Sequence, residues 1–167
     1  MGVTLEFYSA EPEAFVSILE KWFAAETEEE EVQLADELHT RYLRADFSLH
    51  LYWPEDIDAL CQAMSAEGLN IPGSCADLLV EELWFDGYSA WVDRLSQTLP
   101  LAMAHVSDAI IERIAKGWVG NHIPDPNADP VYYANAFDAA VRALSDLRMV
   151  SQDALERGRD VLLFRLW

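Results

Sequence analysis

The sequence predicts an α+β fold, a predominantly helical single domain packed on a small sheet of about three strands. Two observations carry that expectation. Apolar residues alternate with polar ones near the start and in the middle of the chain, and a short leucine- and aromatic-rich run closes it, whereas the intervening segments repeat at three and four. Proline, glycine and aspartate punctuate the changes of period. A length of 167 residues fits one domain, and 51% hydrophobic against 25% charged residues can fill a core, which excludes the composition of a disordered chain.

Each element follows from local pattern. Val3, Leu5 and Phe7 alternate with Thr4, Glu6 and Tyr8, which predicts a half-buried opening strand. Pro12 then suits a first helical turn, and Phe15, Ile18, Leu19, Trp22 and Phe23 form one apolar stripe. The run Glu26 to Glu31, interrupted only by Thr27, puts negative charge at the start of a second helix carrying Val32, Leu34, Ala35, Leu38, Tyr42 and Leu43. Phe47, Leu49 and Leu51 return to a period of two, and Pro54 opens a third helix that Gly68 ends.

Leu69 to Cys75, with Asn70, Pro72, Gly73 and Ser74, reads as an ordered turn. Helices are expected over Ala76 to Phe85 and Tyr88 to Leu99, broken by Asp86-Gly87, and over Ser107 to Trp118, with Gly117 and Gly120 as its stop. Ile123 to Pro130 is a rigid connection, after which Asp129 and Pro130 start a helix from Tyr132 to Leu147 with Tyr133, Ala136, Phe137, Ala140, Val141 and Leu144 inward. Ser151 is expected to cap one last short helix to Gly158. Val161 to Trp167 then reads as a buried strand, paired with the opening one.

The opening Met1-Gly2-Val3 strand before a helix, the strand Phe47-Ser48-Leu49-His50, and Ala154 to Gly158 running into Val161-Leu162-Leu163 resemble the YfbM-like bacterial proteins. Leu43 to Asp46 reads Leu-Arg-Ala-Asp where that family has an aspartate-lysine-x-tryptophan pattern. The resemblance implies an α+β fold and no particular activity.

Charge narrows the function. Thirty acidic against 11 basic residues leave a net charge of −19, which opposes nucleic acid and anionic membrane surfaces. Residues 1–60 hold 15 acids and 3 bases, so the field concentrates in the N-terminal third. Such a field can steer a basic protein partner, as in an inhibitor, immunity or antitoxin role, and Glu28, Glu29, Glu30 and Glu31 are the expected contact face; solubility is the plainer use of the same charge. Two cysteines, Cys61 and Cys75, form neither a disulfide scaffold nor a Cys-x-x-Cys motif, and with no signal-like or membrane-spanning run they point to the cytoplasm.

No reaction motif is present. His50, beside Ser48 and Tyr52 on the polar side of its strand, is the first candidate for a base or ligand, against the commoner role of a hydrogen-bonded structural histidine. Trp84, Tyr88 and Trp91 form the densest aromatic cluster, which packs the core or borders a pocket with His50 and Tyr52. Ser74 beside Cys75 has no partner at a catalytic spacing and serves better as a helix cap. His39, His50, His105, His122 and Cys61 lack the short paired spacing of zinc sites, and seven glycines form no phosphate cradle, so no metal or cofactor is expected. Carboxylate pairs such as Glu55 with Asp58 and Glu81 with Glu82 are common by chance in so acidic a chain. A homo-oligomer joined through the terminal strand and Trp167 is a further expectation.

Overall fold

The computed structural model describes residues 4–48, 55–122, 127 and 129–166. In chain order these form β1 (Thr4–Ala10), α1 (Pro12–Phe23), α2 (Glu28–Arg41), β2 (Arg44–Asp46), α3 (Glu55–Ala66), α4 (Cys75–Leu78), β3 (Leu79–Phe85), β4 (Ala90–Leu95), α5 (Thr98–Met103), α6 (Asp108–His122), α7 (Pro130–Arg157) and β5 (Asp160–Leu166). The strands make one sheet in the order β2-β1-β5-β4-β3, with every neighbouring pair antiparallel. The class is α+β as expected, but the described sheet has five strands rather than three.

The opening and closing strands pair along their full length, from Thr4 opposite Leu166 to Ala10 opposite Asp160. Both are buried on two faces. Leu5, Phe7, Val161 and Leu163 join a core built with α3, α5, α6 and α7, whereas Tyr8, Ala10, Leu162 and Phe164 join a second core under α1 and α2. Alternation therefore marks two apolar cores here, not one core and one wetted face. Glu6 and Tyr8, which the period-two pattern places toward water, are 5% and 0% exposed.

The two added strands come from residues expected to be helical. Only Cys75 to Leu78 is helical before Leu79 turns into β3, and Ala90 to Leu95 is β4 rather than a helix. Asp86 organises the hairpin: its Oδ1 accepts the backbone N–H groups of Tyr88, Ser89 and Ala90 at 2.7, 2.8 and 3.0 Å, while Gly87 takes a φ of 87°. A glycine reaches that left-handed conformation without steric cost. The signal was present in Asp86-Gly87 flanked by Trp84, Phe85, Trp91 and Val92, since Asp-Gly between aromatic and β-branched residues favours a hairpin.

Two helices run further than their internal glycine and serine suggest. α6 passes through Gly117 and Gly120 to His122, and a Cβ on Gly117 would lie 3.7 Å from that of Ala63, so this position sits against α3. α7 is one helix of 28 residues, capped by the Asp129 carboxylate on Tyr132 N–H at 2.9 Å and ended by Gly158 at a φ of 64°. Ser151 is interior to it, and its Oγ donates to the Leu147 carbonyl at 2.7 Å instead of starting a new helix. Ser74 does cap, accepting from Asp77 N–H at 3.3 Å at the start of α4.

Candidate functional site

α2 is the most exposed of the long helices. Thr27 caps it by accepting from Glu30 N–H at 3.3 Å, and the Glu30 carboxylate reaches back to Glu26 N–H at 3.1 Å, close to a capping box. Four glutamates in the first turn complement the helix dipole and thereby stabilise a segment with little apolar surface. Of its 14 residues only Leu38 is buried, Leu34 and Ala35 are half-buried, and Val32 is 56% exposed. Glu28, Glu29, Glu30 and Glu31 all face solvent, and none of them forms an ion pair among the described residues.

Beside this turn, α1 ends in two aromatics. Trp22 packs toward Phe164, whereas Phe23 remains 40% exposed with its ring 5.2 Å from that of Trp84 on β3. An open groove of about 410 Å³ separates the end of α1 from α2, lined by Lys21, Ala24, Ala25, Glu30, Gln33 and Leu34. Acidic and aromatic surface thus adjoin. Sequence reasoning assigned Phe23 to the buried stripe, because its spacing fits that stripe; only the end of the covering layer exposes it.

Among the described residues, Trp84, Tyr88 and Trp91 do not share one face. His50 and Tyr52 lie outside the described residues. Trp84 sits opposite Val92 on the face of the α1 and α2 core, whereas Trp91 sits opposite Phe85 on the other face. Tyr88 belongs to the hairpin turn at 88% exposure, so it shares no helical face with Trp91. The reason is the hairpin register: Trp84 and Phe85 are adjacent on β3 and face opposite sides, and Trp91 pairs with Phe85 while Val92 pairs with Trp84.

Trp91 has a structural setting of its own. It stacks on Phe85 with centroids 4.8 Å apart and planes 14° from parallel, and the Arg165 guanidinium lies 5.5 Å from its ring centre. Arg165 is hydrogen-bonded to Asp93, and both are buried. Burial, with Glu82 opposite on β3, pushes the Asp93 carboxyl above the ordinary aspartate range despite Arg165.

A second charged group crosses the other core. Glu6 accepts from the Tyr8 hydroxyl at 2.6 Å and pairs with Arg44, which extends to within 3.3 Å of His39 Nε2. Burial and then the Glu6 charge hold the Tyr8 phenol above its ordinary range, so the tyrosine stays protonated. Arg44 stays charged because Glu6 and Tyr8 outweigh its burial.

A cavity of about 220 Å³ near the ends of α2 and α7 is lined by Arg41, Tyr42, Asp153, Arg157 and Arg159 among others. Three arginines in so acidic a chain suggest an anion site. However, Asp153 already supplies the anion, accepting from Ser9 Oγ at 2.7 Å, Arg157 Nε at 2.6 Å and Arg159 Nη1 at 3.3 Å. Arg159 also binds Glu11 at 2.8 Å, a contact that holds the Glu11 carboxyl below its usual range. The group joins the start of α1, the end of α7 and β1, and functions as a structural clasp.

Among the described residues no three His, Cys, Asp or Glu side chains converge to hold a metal ion, and no helix is long and apolar enough to cross a membrane. β5, expected to join two copies, lies inside the sheet with both edges paired, while Trp167 lies outside the described residues. The surface that stands out is therefore the acidic turn of α2 beside Phe23 and Trp84. No protein-family model, curated protein or solved structure matches the chain.

Proposed function

We propose that this protein is a non-enzymatic interaction module that binds a basic protein partner through the first turn of α2, in the manner of an immunity or antitoxin protein. The observation that carries the reading is the exposure of four successive glutamates on a helix that buries only Leu38. The helix dipole needs far less charge than this, and nearby apolar exposure at Phe23 and Val32 offers contact area as well as attraction. The likeness of the chain ends to YfbM-like proteins bears on fold alone and adds no chemistry.

Purification of the tagged full chain from its native host, washed at low and then moderate salt, tests the reading. A stoichiometric basic protein should be retained by the native chain and lost from a variant with Glu28, Glu29 and Glu31 each changed to Lys. Because these side chains are exposed, that variant should remain folded by circular dichroism. Retention of the same partner by the folded variant at both salt levels would overturn the assignment.

A further inference from the structure

We infer that the free edge of β3 is a β-addition site for a basic, extended segment of a protein partner, a surface that deepens the interaction reading and rests on it. β3 ends the strand order, so one side of its backbone has no strand neighbour among the described residues. It is seven residues long, and none of them is buried. The opposite edge, β2, is only three residues long and lies under α7. An added strand draws affinity from main-chain hydrogen bonds and specificity from side chains on alternate faces.

β3 supplies the walls of such a site. On one face Phe23 and Trp84 stand 5.2 Å apart, and on the other Phe85 stacks on Trp91 at 4.8 Å. Val80 is 57% exposed and Phe85 42%. Between them lie Glu81 and Glu82: Glu81 is 3.1 Å from Arg94, whereas Glu82 is exposed and forms no ion pair among the described residues. Edge strands otherwise invite self-association, and the two register shifts against β4 twist this one without covering it.

Charge selects the occupant. Pairing β3 with its counterpart in a second copy, centred on Glu82, would set that glutamate against its own equivalent across the seam, between two molecules of net charge −19. A strand carrying Lys or Arg at alternate positions instead sets a basic side chain against Glu82, on the face of Asp93 and Trp91, while its other side chains lie on the face of Leu83 and Trp84, where Glu81 is already paired with Arg94. Arginine also suits the exposed ring of Phe85. The acidic turn of α2, close to Phe23 in the chain, extends the same field toward the rest of the partner.

The test is a titration of the ¹⁵N-labelled full chain with an eight-residue peptide alternating lysine and valine, observed by amide shifts and hydrogen exchange. Alongside run an alternating glutamate-valine peptide and a lysine-valine peptide methylated at alternate backbone nitrogens. The unmethylated basic peptide should shift amides 80–85 and slow their exchange at least tenfold. The acidic peptide should do neither, and methylation or Glu82→Lys should weaken binding at least fivefold. Equal binding of the methylated peptide, shifts confined to residues 28–31, or no shift at millimolar peptide would each overturn β-addition. Shifts confined to residues 28–31 would leave the α2 reading standing, and failure of that reading is scored separately by partner retention in its charge-reversal variant.

Discussion

At the scale of single residues, the chain places charge inside its cores and pairs it there. Removing one member of a buried pair exposes the cost of the other, so Asp93→Ala should destabilise the protein by about 3 kcal/mol in urea unfolding. Replacing both members, Asp93→Leu with Arg165→Met, should cost less than the single change, because the raised carboxyl pKa shows desolvation outweighing the attraction. Asp86 behaves oppositely. Burial raises its pKa, but the N–H groups of Ala90, Tyr88 and Ser89 together outweigh this and lower it below the ordinary 3.8. A lowered carboxyl pKa stabilises the fold above the unfolded value and loses that contribution as pH falls through the folded value. Asp86→Asn should therefore cost about 1 kcal/mol at neutral pH, a figure discounted for exposure, and the gap from wild type should close as pH falls through the lowered folded value. A gap independent of pH would assign the effect to the turn shape alone.

Elements show where local pattern sufficed. The stripe in α1, the acidic start of α2 and the Asp129-Pro130 start of α7 were legible because charge, capping and period are local. The ends of α6 and α7 were not, because Gly117 and Ser151 are weak breakers that helix packing overrides. A continuous α7 makes a definite prediction at Met149, whose side chain is 47% exposed. Met149→Pro should cost at least about 3 kcal/mol, since proline removes an interior hydrogen bond and its ring clashes with the carbonyl of Ser145. Met149→Ala should be nearly neutral, and a mild effect of proline in thermal melts would argue for a break near this point. The β3–β4 hairpin was missed for a different reason. Leu79 to Phe85 contains register shifts that blur its alternation, and Tyr88 with Trp91 mimics a helical spacing across a turn.

On the scale of the whole molecule, the excess of acid acts against compactness as well as for recognition. A net charge of −19 on 167 residues repels itself in the folded state more than in the expanded chain. Sodium chloride between low and moderate concentration should raise the midpoint of thermal unfolding by about 2–4 °C, corresponding to about 1 kcal/mol of screening. An unchanged midpoint would mean that the Arg-centred pairs already balance the field. Of the residues proposed as a site, the exposed glutamates of α2 were legible from composition and capping, because a run of charges has few other places to go. The aromatic cluster was not: Trp84 and Trp91 fall on the two strands of a hairpin, and which face each takes depends on the register of that hairpin.

The sequence by itself determined the α+β class, the pairing of its terminal strands, the Asp129 cap of its longest helix and the exposure of its acidic turn. These follow from periodicity, end-capping and the solvation of charge, all of which act within a few residues. Only the tertiary structure decided the rest: five strands, two cores, Glu6 and Tyr8 turned inward, and β3 left at an open edge. Each depends on which surfaces meet across distant parts of the chain, since burial of a sheet face is set by the layer that covers it.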